Sequence, residues 1–178
     1  MALKNTTETY GWLAKLLHWA ITLLLLGLVY AGLTFTGMER GPDRTELAAL
    51  HKSVALLVLS LMTVRLIWKF MNARPADPEG TTAMQSAAST WMHRLLYAAV
   101  YFQLSIGLLV GGMRPISFFG LFDIAPFLAE NEDLHEQFEE LHEIGWIILA
   151  VLVVLHVLAA LHHHFIAKND VLKRMTTG

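Results

Sequence analysis

His142 and His156 are the two residues of this chain whose type and spacing promise the most chemistry. Both lie in its last apolar stretch, EELHEIGWIILAVLVVLHVLAALHHHF. An imidazole well inside an apolar helix is costly to bury and is rarely left without a partner. The fourteen residues between them are close to four full helical turns. Both rings therefore project from nearly the same face, roughly 21 Å apart along the axis. One helix then offers a ligand to each of two stacked cofactors.

The available chemistry is narrowed by composition. Among 178 residues there are nine histidines and no cysteine. Disulfides, iron–sulfur clusters, thiolate zinc sites and covalent haem attachment through C-x-x-C-H are excluded. Neutral imidazole binds transition metals well, and two axial imidazoles saturate a haem iron. Such an iron has no open position for a substrate, which favours electron transfer.

The elements that must position these rings are membrane helices. The chain is 55% hydrophobic and 16% charged, with mean hydropathy +0.49, which suits an integral membrane protein. Four apolar segments approach or exceed the roughly 20 residues that cross a bilayer core, at about 12–35, 47–70, 91–111 and 141–166. The expected fold is an all-α, four-helix transmembrane bundle, a single domain over 1–178. The first segment is too long for a signal-peptide core and lacks an A-x-A site, so it reads as retained. Lys4, Lys15, Arg65, Lys69, Arg74, Arg94, Lys168, Lys173 and Arg174 fall on one side, against Arg40, Arg44, Lys52 and Arg114 on the other. The positive-inside rule then puts both termini in the cytoplasm.

Depth pairs the histidines. His18 lies in the inner half of the first helix, and His51 opens the second near the outer surface. His142 sits at the outer end of the fourth helix and His156 toward its inner side. Two pairs match in depth: His18 with His156 inside, and His51 with His142 outside. Taken singly, His51 and His142 would also suit headgroup-facing positions; the coincidence of two matched pairs favours ligands. The large, flat porphyrin needs small neighbours, and Gly145, Ala159, Ala160, Ala14 and Ala55 lie within one turn of the four rings.

The remaining candidates have less specific signals. His93 reads as an interface anchor at the inner end of the third helix, which should give no axial ligand and act as packing or site wall. His135 reads as solvated. His162, His163 and His164 form a tract at the inner membrane edge, suited to headgroups, to metal, or, through His163, to a quinone carbonyl. Lys52, Arg44 and Arg114 outside, and Lys15, Arg65 and Arg94 inside, suit haem propionates or quinone, and equally suit snorkelling anchors. The loop at about 113–138 starts Phe-rich, as if interfacial or covering the bundle, and ends acidic, as the solvated start of the fourth helix.

Several motifs together resemble one family. They are His18-Trp19 in the first helix, His51 opening a helix that ends VRLIWK, and LHEIGWIILAVLVVLHVLAALHHHF followed by KNDVLKRM. In this combination the chain resembles the bacterial cytochrome b561 family over nearly its whole length. The resemblance implies a multi-pass protein of the bacterial inner membrane, two non-covalent b haems and electron transfer to ubiquinone. It assigns His18 and His156 to one haem iron and His51 and His142 to the other. One member type is similar to a superoxide oxidase, drawing electrons from periplasmic superoxide; related b-type subunits serve hydrogenases and formate dehydrogenases.

The resulting expectation is a di-haem b-type oxidoreductase linking a periplasmic donor, superoxide or a redox protein, to the quinone pool. Lipid and quinone are its expected partners; nucleic acid is not. The net-acidic outer face suits a cationic protein donor, unless Arg40, Arg44, Lys52 and Arg114 cluster into a positive mouth for an anion. The alternatives are an anchor cytochrome b subunit of a larger complex and a histidine-based transition-metal transporter. The transporter would want carboxylates or methionines at mid-depth, where Met62 stands without a buried acid.

Overall fold

A computed structural model describes residues 2–177, leaving Met1 and Gly178 outside. The elements in order are α1 (Trp12–Thr36), α2 (Pro42–Phe70), α3 (Ala83–Gly111), β1 (Ile116–Phe118), β2 (Phe122–Ile124), α4 (Glu132–Phe165) and α5 (Val171–Met175). The four long helices are long and apolar enough to cross a membrane. Leu23 and Tyr30 on α1, and Ile144, Ile148, Val151 and Leu155 on α4, are exposed and lie outside the cavity between the helices. Such outward faces are stable against acyl chains rather than water.

Three helices begin well before their apolar spans, and local chemistry explains each start. Pro42 and Asp43 open α2 after Gly41, the arrangement that suits a helix N-terminus. Thr82 and Gln85 form a reciprocal capping box at the start of α3, satisfying two orphan donors. Asn131 caps α4 by accepting from the Leu134 N–H at 2.9 Å, with Glu132 and Asp133 in the first turn. The acidic tract is therefore a helical extension of α4.

The loop between α3 and α4 is not wholly irregular. Ile116–Phe118 and Phe122–Ile124 pair antiparallel, turning through Phe119 and Gly120, both at positive φ. Ser53 of α2 binds this hairpin to the bundle. Its hydroxyl lies 2.9 Å from the Ser117 carbonyl and accepts from the Phe119 N–H at 3.0 Å.

The long helices pack as two hairpins. α1 runs along α2 and α3 along α4, while the main contact between the hairpins is α2 with α3. The core at that seam comprises Leu17, Ile21, Leu28, Val58, Met62, Val100, Leu104 and Leu149. At the end where both terminal segments lie, the Trp19 indole donates to the Met175 carbonyl at 2.8 Å and the Thr9 hydroxyl to the Arg174 carbonyl at 3.3 Å.

Candidate functional site

Between the two hairpins lies a continuous cavity of about 2880 Å³, lined by His18, His51, His142 and His156. An ordinary small-molecule pocket holds roughly 300–1,000 Å³, so this space suits more than one large group. α4 contributes two of these rings, His142 and His156, fourteen residues apart.

The structure brings the histidines together in the pairs that depth matching predicts. The His18 and His156 ring centres are 6.4 Å apart, with planes at 79°. Those of His51 and His142 are 6.5 Å apart, at 76°. Both gaps are wider than the 5.4 Å edge contacts of Phe35 with His51 and of His93 with His156. A metal held about 2 Å from one nitrogen of each of two opposed imidazoles would put their ring centres about 6.3 Å apart. Among the described residues no group of three or more His, Asp or Glu is placed to hold a bare ion. Donors that come in twos fit a cofactor that brings its own equatorial ligands, as a porphyrin does.

Each pair has a different setting. At the loop end, Phe35 packs edge-on against His51 at 5.4 Å. A Cβ added at Gly32 would lie 3.5 Å from the His51 ring. His51 Nδ1 is buried without a partner at hydrogen-bonding geometry, although the Leu28 backbone is close enough to interact with the ring. His142 is contacted by α3: the Gln103 side-chain nitrogen is 3.1 Å from Nδ1 and donates to the His142 carbonyl at 3.0 Å. A Cβ at Gly107, one turn further along α3, would come within 2.8 Å of the His142 ring.

At the terminal end, the Arg65 guanidinium lies 2.9 Å from His18 Nδ1 and donates to the Tyr97 hydroxyl at 3.2 Å. Lys69 sits over the Tyr97 ring at 4.5 Å. His93 donates from Nδ1 to the Ser89 carbonyl at 2.6 Å and places its ring 5.4 Å from that of His156. That separation is direct edge contact, shorter than the two wider gaps. Tyr10, ahead of α1, also lines this end. Burial pushes its phenol above the usual range, so it remains a proton donor there.

The other candidates separate clearly. Arg44, Lys52, Arg65, Arg94, Arg114 and His163 all line the cavity. Arg44 donates to the Phe35 carbonyl at 3.0 Å, and Arg114 forms an exposed pair with Glu130 at 3.6 Å. Arg94 stacks over Trp91 at 4.9 Å, and His163 Nδ1 meets the Asn169 amide at 2.8 Å. Lys15 is buried. His135 pairs with Glu139 at 3.2 Å. The four loop-end cations Arg40, Arg44, Lys52 and Arg114 share the cavity lining with Glu132, Glu136, Glu139 and Glu143.

Two expectations need correcting. His93 is no mere anchor: α3 brings a third imidazole into the terminal-end site. Gly145 does not leave room for a porphyrin. A Cβ there would lie 2.3 Å from the Gln103 side-chain oxygen and 3.2 Å from the Phe102 ring, so its bareness admits α3. Sequence reasoning overlooked Gln103, Gly107 and the hairpin clasp. For Gln103 a signal was present: a lone carboxamide inside YFQLSIGLL must find partners in an apolar span.

The sequence profile of the family described as prokaryotic cytochrome b561 matches residues 9–178. "Cytochrome b561 homolog 2" of Escherichia coli (strain K12) is 31% identical over 179 residues, covering 98% of this chain and 95% of the relative. "Cytochrome b561 homolog 1" of the same organism is 32% identical over 163 residues, covering 89% and 92%. "Probable superoxide oxidase CybB" of Yersinia pestis is 24% identical over 172 residues, covering 94% and 96%.

Proposed function

The chain belongs to the prokaryotic cytochrome b561 family of electron-transfer membrane proteins, and on that premise we propose that it is a di-haem b-type superoxide:ubiquinone oxidoreductase of the bacterial inner membrane. Both termini face the cytoplasm in this reading, so the terminal end of the bundle is inner and the loop end outer. His18 and His156 hold the inner haem, and His51 and His142 the outer one. The observation that carries the reading is the pair of matched ring gaps, 6.4 and 6.5 Å, at the two ends of one cavity.

When bound, the haems supply one-electron redox chemistry; the protein sets position, access and potential. Two imidazoles at each end would hold one haem iron each, and a bis-imidazole iron would supply electron transfer rather than substrate binding. Phe35 lays an apolar ring against His51 at the outer end. Arg65 and Lys69 set a positive field at the inner end, where carboxylates of a cofactor find charged partners. His93, Tyr10 and His163 line that same end and offer donors for a quinone carbonyl and for the protons its reduction consumes.

Two observations support superoxide as the donor. One relative bears the name of a probable superoxide oxidase. Arg40, Arg44, Lys52 and Arg114 all line the cavity, beside the glutamates of α4, and offer an arriving anion cationic partners there. The acidic extension of α4 favours a second reading, a cationic redox protein as donor, with the chain as an electron-transfer or anchor subunit. Stopped-flow mixing of oxidised, purified protein with superoxide separates them. Rapid haem reduction, with turnover on added ubiquinone, supports the first; no reduction by superoxide, together with co-isolation of a stoichiometric soluble protein, replaces it with the second.

A further inference from the structure

Gln103 is the carboxamide within the apolar part of α3, and it is 9% exposed. Its side-chain nitrogen lies 3.0 Å from the His142 carbonyl and 3.1 Å from His142 Nδ1. Its side-chain oxygen is buried with no partner. The amide reaches this position because α4 presents bare backbone at Gly145, where a Cβ would lie 2.3 Å from that oxygen. One turn along α3, Gly107 leaves the space that the His142 ring occupies, 2.8 Å from a Cβ built there. Two positions of α3 therefore shape a slot for one imidazole.

From this geometry we infer that Gln103 is a positioning residue that fixes the rotation and tautomer of His142. The inference rests on the reading of His142 as an outer-haem ligand. With Nδ1 facing Gln103, Nε2 is the nitrogen left for a metal. An imidazole that ligates through Nε2 carries its proton on Nδ1, and that N–H then needs an acceptor. A half-turn of the amide about its last bond exchanges nitrogen for oxygen at nearly the same place. The orphaned oxygen then accepts from Nδ1–H, and the amide draws back from the His142 carbonyl, because two acceptor oxygens repel at the 3.0 Å that the nitrogen now spans. The His142 carbonyl gives up its amide contact and keeps its place in the helical hydrogen-bond ladder.

An acceptor on Nδ1–H makes the ring a stronger electron donor, which favours the oxidised state of a metal bound to Nε2. The sign of this effect separates positioning from simple packing. In Gln103→Leu the acceptor is lost, and the reduction equilibrium of the outer haem shifts toward the reduced form by about tenfold, 59 mV for one electron. In Gln103→Glu a carboxylate accepts more strongly, and the same haem shifts toward the oxidised form. The inner haem stays where it is.

The test is a redox titration of the purified, haem-loaded protein and both variants. The outer haem is assigned as the signal that His142→Ala removes. Opposite shifts confined to that haem support the inference; no shift, or shifts of one sign, overturn it. If Gln103→Leu sheds the outer haem altogether, the sign in Gln103→Glu decides alone. Failure of the underlying reading looks different: wild-type protein with fewer than two bis-histidine haems, or His142→Ala retaining both.

Discussion

Gly107→Ala offers a sharp test of how tightly α3 defines the outer site. The added methyl would sit 2.8 Å from His142 Cε1 and 3.3 Å from Nδ1, where carbon atoms rest comfortably at roughly 3.5 Å. The ring must retreat by about 0.7 Å, and a free side chain would do so at little cost. A ring held on one side by Gln103 and on the other by a metal has nowhere to go, and overpacking of this kind costs about 1–3 kcal/mol. At 1.4 kcal/mol per decade, that weakens haem binding at the outer site by about 5- to 150-fold. Gly32→Ala is the matched control. Its methyl would meet His51 Cε1 at 3.5 Å, an ordinary contact, so haem binding should stay within about twofold of wild type. Both changes replace glycine by alanine inside a helix, which by itself favours the helix by about 1 kcal/mol, so folding does not distinguish them. Haem content per chain, measured across a series of haem concentrations, reads the difference directly. Equal retention of the outer haem in both variants would refute the reasoning, as would equal loss.

Other outcomes follow from the loop and the connector. Ser53→Ala removes the acceptor of the Phe119 N–H and the hydroxyl beside the Ser117 carbonyl; an unsatisfied buried donor costs about 1–3 kcal/mol. Amide hydrogen exchange at Phe119 should speed up by at least tenfold, with α2 unchanged; unaltered exchange would show that the clasp is idle. Asp77, in the connector between α2 and α3, has its carboxyl held below the usual range, chiefly by the Ser86 hydroxyl and then by Arg74. Its contribution is therefore present above the ordinary carboxylate range and is lost as pH falls through its lowered value. The group is largely exposed, so the effect is small. Ser86→Ala should raise the Asp77 pKa, read by carboxyl NMR; an unchanged value would assign the shift to Arg74.

How much was legible in the sequence depended on which force fixed each feature. The helices announced themselves because a bilayer demands long apolar spans, and Thr82, Gln85, Pro42 and Asn131 carried their own capping chemistry. The pairing of His18 with His156, and of His51 with His142, followed from depth alone, since antiparallel spans convert sequence position into height. What depth cannot give is rotation about a helix axis. That is why His93 looked peripheral yet turns its ring toward His156, and why Gly145 was credited with clearing space that Gln103 in fact fills. The Ile116–Ile124 hairpin lay in a stretch read only as a Phe-rich loop, and its anchor Ser53 stands more than sixty positions away, where no local pattern points to it.

The central claim is the pairing of four imidazoles across two hairpins, and single replacement of each by alanine tests it most directly. Haem spectra of His18→Ala and His156→Ala should each lack one and the same component, and those of His51→Ala and His142→Ala should each lack the other. A component lost in common by His18→Ala and His142→Ala, or wild-type protein with fewer than two bis-histidine haems, would contradict it.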